Sequence, residues 1–155
     1  VNQVEIEPYL SELQRTFHKR GVILAYLFGS QAEGTAGPLS DVDIAVLLGP
    51  EVPRERWGDV QLDLIGDLAS LFHRDDVDVV ILNRASPLLA HRVTTRGQVI
   101  YEPDPLARTR FEVEALRRYV DTEPLRRLRW TYLGRRARQR QKGQQVMATQ
   151  GEAKA

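Results

Sequence analysis

Gly29-Ser30, a gap of ten residues, then Asp41-Val42-Asp43 is the stretch of this chain whose residue types and spacing could do chemistry. Alternate residues of a strand point to the same face, so Asp41 and Asp43 are expected to share one, with Cα atoms roughly 6.5 Å apart. Two carboxylates that close repel each other unless positive charge lies between them. Val42, Ile44 and Val46 then point the other way, into a core. Oxygen-only ligands of this kind suit Mg²⁺, which keeps several waters and is completed by substrate phosphates. A third carboxylate, Asp78, lies inside the apolar run Val77 to Leu82. If that strand lies beside the one carrying Asp43, Asp78 faces the same site. Three carboxylates can hold two metal ions, the arrangement that stabilises both attacking and leaving oxygens in phosphoryl-type transfer. Asp75 and Asp76 read as solvating charges at the strand entry.

Gly29-Ser30 directly follows the apolar run Val22 to Phe28. Glycine lets a backbone approach a ligand closely, and serine offers a hydroxyl and an N–H. A short helical turn starting there would present free N–H groups to a phosphate. The reading is therefore a phosphate cradle at Gly29 and Ser30 beside metal-binding carboxylates at Asp41, Asp43 and Asp78.

These groups need a scaffold. Residues 3–20 read as a helix, with Leu10, Leu13 and Phe17 at helical spacing and Gly21 as its stop. Strands are expected at 22–28, 42–48 and 77–82, with a short fourth at 98–101. Between the first two lies a loop rich in glycine. An amphipathic helix is expected at 53–72. Ser86-Pro87 is a strong helix start, a hydroxyl cap followed by proline, for a helix ending near Arg96. Residues 105–142 read as mostly helical. The fold class expected is α/β (α+β): one small mixed sheet flanked by helices, with a C-terminal helical tail. The domain reading is a core over 1–105, an Arg-rich helical segment over 106–142 and a frayed tail over 143–155.

The 155-residue length suits one domain, with 42% apolar and 28% charged residues. Net charge is +1, but 1–105 carry a net −7 and 106–155 a net +8. The longest apolar run is far shorter than the ~20 residues of a membrane span. No secretory signal is recognisable at the first residues. The absence of cysteine excludes thiolate chemistry and fits a cytoplasmic location. His18, His73 and His91 lack metal-ligand spacing, which argues against zinc. The basic tail, with Trp130 and Tyr132 among its arginines, has three readings: a solvated helix face whose aromatics pack on the body, a docking surface for a protein partner, or a contact for nucleic acid, the last not favoured.

The Gly29-Ser30 and Asp41/Asp43 pattern resembles the nucleotidyltransferase superfamily of the DNA polymerase β type, and within it the minimal nucleotidyltransferases of the MntA-type antitoxins. Residues 77–83 resemble that family's third-aspartate strand, and 97–101 its closing strand. Arg110-Phe111-Glu112 and Tyr119-Val120-Asp121 are similar to the helical tail of those antitoxins. The resemblance covers residues 20–121 and weakens beyond. It implies a polymerase-β-like fold and an enzyme that transfers AMP from ATP to a tyrosine of a partner HEPN ribonuclease toxin, silencing it. Asp41 and Asp43 would bind two Mg²⁺ ions, Asp78 would be a base or metal ligand, and Gly29 and Ser30 would hold the triphosphate. One departure stands out. Many relatives carry a basic residue just after the Gly-Ser, where this chain has Gln31-Ala32-Glu33-Gly34, so positive charge is expected from elsewhere, Arg84 or the tail being the candidates. Arg84 and His91 match the loose R-x4-6-H spacing of HEPN ribonucleases by coincidence, since Arg84 precedes a helix start in a strand-containing chain. Transfer to a small-molecule hydroxyl and a non-catalytic antitoxin that acts by binding remain open alternatives.

Overall fold

The computed structural model describes residues 5–35, 37 and 40–134. Its main elements are α1 (Leu10–Lys19), β1 (Val22–Phe28), β2 (Val42–Leu48), α2 (Trp57–Phe72), β3 (Val77–Ile81), α3 (Pro87–Arg96), β4 (Gln98–Tyr101) and α4 (Pro105–Asp121). The four strands form one sheet in the order β3-β2-β1-β4. β1 runs antiparallel to β2 and to β4, and β2 runs parallel to β3. The mixed sheet expected from the sequence is thus present.

Apolar side chains cover both faces. On one face Leu13 and Phe17 of α1 and Leu64 and Leu68 of α2 pack with Val42, Ile44, Val46, Val79 and Ile81. On the other, Ala90 and Val93 of α3 and Ala115 of α4 pack with Leu24, Tyr26 and Ala45. Burial of a Leu or Val side chain contributes about 1.5–3 kcal/mol, so this double layer is the main reason the sheet holds its register. Tyr26, 1% exposed, donates its hydroxyl to Glu112 Oε1 at 3.0 Å, and Arg108 bridges Glu112 and Glu102. A polar tie therefore joins α4 to β1 beside the apolar contact.

Three element boundaries differ from the sequence reading. The first helix does not begin at residue 3. Residues 5 and 6 are outside it and a 3₁₀ turn, Glu7–Tyr9, precedes α1. Pro8 lies in that turn, where its missing N–H is tolerated. α2 begins at Trp57 after a 3₁₀ turn at Arg54–Arg56. β3 ends one residue early, at Ile81, and a 3₁₀ turn follows at Leu82–Arg84. Asn83 within it accepts a hydrogen bond from the Leu48 N–H (2.8 Å) and donates to the Leu48 carbonyl (2.9 Å), which joins that turn to the end of β2. At α3 the expected cap is present, Ser86 Oγ accepting from the Leu89 N–H with Pro87 at the first turn.

The described residues fall into two compact units that divide between Arg117 and Arg118. After α4, Thr122 forms a turn and residues 123–134 are helical. Within that second unit the Arg126 guanidinium lies 3.9 Å from the Tyr119 ring centroid, and Trp130 and Tyr132 are exposed. The expected continuation to 142 and the tail 143–155 lie outside the described residues. Among the described residues no helix is long and apolar enough to cross a membrane.

Candidate active site

Asp43 is the second residue of β2, and its position follows from pairing on both sides. It is the partner of Phe28, the last residue of β1, and of Asp78, the second residue of β3. Because β2 and β3 are in register, Asp43 and Asp78 project from the same face. That is the face α3 and α4 cover, but at the end of the strands where the apolar layer stops: Ala45 is buried beneath it, Asp43 is half-buried and Asp78 exposed. Asp41 lies one residue before β2 rather than within it, and is exposed. Its face is therefore not dictated by strand alternation, contrary to the sequence reading. The reason is the entry of β2: the Val42 N–H bonds the Asp76 carbonyl at 2.9 Å, so regular strand geometry starts there.

Gly29 completes this corner. Its φ is +71°, in the left-handed region, and a Cβ on it would lie 2.5 Å from Asp43 Oδ2. Only a glycine allows the turn and the close approach together. The chain then makes a single turn, the Glu33 N–H bonding the Gly29 carbonyl and the Thr35 N–H the Ser30 carbonyl, each at 3.1 Å. The short helical turn expected here is this one, not a regular helix. Gln31 is fully buried within it and donates from Nε2 to the Ser40 carbonyl at 3.3 Å.

The electrostatics follow from the geometry. Burial, then the charges of Asp78 and Asp41, push the Asp43 carboxyl above the usual carboxylate range. Asp43 thus feels the charge of both neighbouring acids. Asp76 is different: its hydrogen bonds with Arg74 hold it below that range. Arg74 also donates to the Ser40 carbonyl at 2.8 Å, which ties the loop before Asp41 to the strand entry of β3. Asp78 Oδ1 accepts from the Val79 N–H at 2.9 Å. As a donor set, these carboxylates fit a hard divalent cation in kind. Among the described residues, however, no three His, Cys, Asp or Glu side chains are gathered at ligand spacing.

Beside this corner lies a cavity of about 240 Å³ lined by Phe28, Gly29, Ser30, Glu33, Thr35, Leu89, Arg92 and Arg96. Ser30 therefore faces an open space next to the acids. Arg84, a candidate source of positive charge, does not line it. Its guanidinium is hydrogen-bonded to Gln61 of α2. The cavity's cations come instead from α3, and Arg96 stands 3.7 Å from Glu33. Sequence reasoning missed Arg92 and Arg96, although their i, i+4 spacing on the helix after the third strand was visible. It also missed Gln31 and Arg74, for which a lone polar residue in a loop gives no signal.

Residues 11–106 match the family described as Polymerase beta, Nucleotidyltransferase. The chain belongs to this family. Both the four-stranded sheet and the Gly29, Asp43 and Asp78 corner lie within the matched segment. Among its relatives, Protein adenylyltransferase MntA of Shewanella oneidensis is 40% identical over 79 residues, covering 50% of this chain and 52% of that protein. This nucleotidyltransferase chain spans about half the length of the curated relatives it matches. A crystal structure of a toxin–antitoxin with AMP-PNP aligns with a TM-score of 0.68 at 27% identity, over 80% of this chain and 97% of that one. A structure of tri-AMPylated Shewanella oneidensis HEPN toxin in complex with MNT antitoxin aligns at 0.65 and 24%, over 83% and 98%, which is a likeness of fold.

Proposed function

We propose that this nucleotidyltransferase is the antitoxin of a toxin–antitoxin pair, and that it transfers AMP from ATP to a tyrosine of a partner HEPN ribonuclease toxin. The observation that carries this reading is the in-register pairing of Asp43 with Asp78 beneath the left-handed Gly29. The relative with a protein adenylyltransferase name and the solved neighbour with AMP-PNP support it.

Each residue then has a task. The Gly29-Ser30 turn lies over the cavity where the triphosphate would enter, the glycine leaving room and the serine offering a hydroxyl and an N–H. Asp43 and Asp78, paired in register, with Asp41 beside them, would supply the carboxylates for Mg²⁺, which when bound would neutralise developing charge on the phosphates. The toxin's tyrosine oxygen attacks the α-phosphorus, the bond to the bridging oxygen breaks and pyrophosphate leaves. Asp78, the exposed acid of the strand pair, would accept the tyrosine proton. Leu106, Val113 and Leu116 of α4 are exposed apolar residues, which favours a protein partner over a small-molecule acceptor. The proposed location is cytoplasmic.

The test is to incubate the protein with α-labelled ATP, Mg²⁺ and the HEPN protein encoded beside it, and to measure intact mass. A gain of one or more AMP masses on the HEPN protein is expected. A stable complex with no gain would replace transfer by a binding antitoxin. Labelling of a small-molecule hydroxyl and not of protein would redirect the reading to that acceptor class.

A further inference from the structure

Two arginines of α3 are left without a task by the reaction outlined above. Arg92 and Arg96 are four residues apart on a helix, so they lie on one side of it. Both line the cavity whose other wall is Gly29, Ser30, Glu33 and Thr35. Their place there is fixed by the end of α3. The Gly97 N–H bonds the Val93 carbonyl at 2.8 Å, and a Cβ on Gly97 would lie 3.2 Å from the Leu27 carbonyl and 3.4 Å from Tyr26 Cβ. The last turn of α3 is thus seated against β1 just before Gly29. Val93, between the two arginines, is fully buried in the layer under α3.

The turn that begins at Gly29 brings no positive charge of its own. Its one ionisable side chain is Glu33, which faces Arg96 at 3.7 Å. Both partners are well exposed, 62% for Arg96 and 39% for Glu33, so the pair contributes little to stability. What it does is keep one guanidinium beside Glu33 in the cavity that Ser30 also lines. A cavity with a serine hydroxyl, two guanidinium groups and one displaceable carboxylate has the chemistry of a polyphosphate site. Guanidinium groups match phosphate oxygens bidentately, and a doubly or triply charged phosphate outcompetes a single, weakly held carboxylate.

We propose that Arg92 and Arg96 are the cations that bind the polyphosphate of the nucleotide, with Glu33 as an internal counter-ion that parks Arg96 until the phosphate displaces it. This inference rests on the nucleotidyltransferase reading of the same site and adds the residues that set its affinity. The phosphate is gripped from α3, across the cavity from the Gly-Ser turn. Glu33 lowers affinity by competing for Arg96, so the turn makes binding weaker than the two arginines alone would.

The experiment is direct binding of ATP and of inorganic triphosphate to the full chain by titration calorimetry, with Mg²⁺, for the wild type and for Arg92→Gln/Arg96→Gln, Arg96→Lys and Glu33→Gln. The double variant is expected to lose about tenfold or more in affinity for both ligands, and to show a flatter dependence on salt. Arg96→Lys keeps the charge and recovers part of the loss. Glu33→Gln is expected to bind a few times more tightly than wild type, which a merely structural role for Glu33 would not produce. All three side chains are on the surface, and thermal melting confirms that the variants fold. Wild-type binding that the double variant matches would overturn the inference and leave the nucleotidyltransferase reading in place. Wild type that binds neither ligand would overturn both.

Discussion

Gly29 lies so close to Asp43 that a single added carbon would sit 2.5 Å from the carboxylate oxygen. The turn after β1 and the acid on β2 are therefore one unit. Gly29→Ala has to move Asp43 or the turn, and also places a Cβ at φ +71°, a conformation that costs about 1–2 kcal/mol for an L-residue. We expect a modest fall in melting temperature and a loss of AMP transfer of about 100-fold or more, because the reacting groups are misplaced. Parallel melting and radiolabel-transfer assays check this. A variant that melts normally and transfers normally would disconnect the two residues.

Asp43 has the reverse profile. It is half-buried and faces the charges of Asp78 and Asp41, so its ionised form is disfavoured. Asp43→Asn removes the repulsion with almost no change of volume. Without divalent cations the variant should melt about 2 °C higher than wild type. Its transfer activity should be lost, and Mg²⁺ should raise the melting temperature of the wild type and not of the variant. A lower melting temperature for the variant in chelator would contradict the repulsion.

Arg74 stands beside the proposed site, close enough for its charge to act on Asp41. It hydrogen-bonds Asp76 and donates to the Ser40 carbonyl, immediately before Asp41. Arg74→Ala should lower transfer by about tenfold through misplacement of Asp41, with a small fall in stability. Arg74→Lys should recover stability better than activity, because one ammonium does not reproduce the forked contacts. Equal recovery of both would show that Arg74 serves the fold alone.

Tyr26 supplies a pH test of the core. Burial, followed by the bond to Glu112, raises its pKa well above that of a free tyrosine. A group whose folded pKa is raised contributes stability that is fully present below the unfolded value, near pH 10, and is lost as pH rises through the folded value. The melting temperature of the wild type should therefore fall more steeply above about pH 10 than that of Tyr26→Phe. At pH 8 the variant should be less stable than wild type, by about 1 kcal/mol, for want of the hydrogen bond. Parallel curves up to pH 11 would remove Tyr26 from the account.

Much of this fold is legible in the sequence because its strands are short β-rich runs bounded by glycine or acidic residues. Alternation within Val42–Leu48 and Val77–Ile81 puts Asp43 and Asp78 opposite the core-facing valines, and the structure has them there. Ser86-Pro87 likewise announces α3 by its own chemistry. What stays hidden depends on contacts between distant residues or on backbone states that no residue type betrays. α2 ends with His73 at φ +52°, a left-handed cap without the usual glycine. The strand expected at 42–48 is β2, but Asp41 stands one residue before it, so alternation does not set its face. The cations of the cavity come from α3 and meet Glu33 only after the chain has built two more strands.

The pairing of Asp43 with Asp78 also bears on how the sheet finds its register. A one-residue slip of β2 would turn Asp43 into the layer formed with Leu64 and Leu68, and one of β3 would do the same to Asp78. An unpaired carboxylate there is far more costly than a lost methylene. The acids thus act against misassembly: slipped sheets are disfavoured by the same charges that the proposed reaction uses. Replacing either acid by valine should do more than silence the enzyme. It should let slipped sheets persist, visible as slow or heterogeneous refolding.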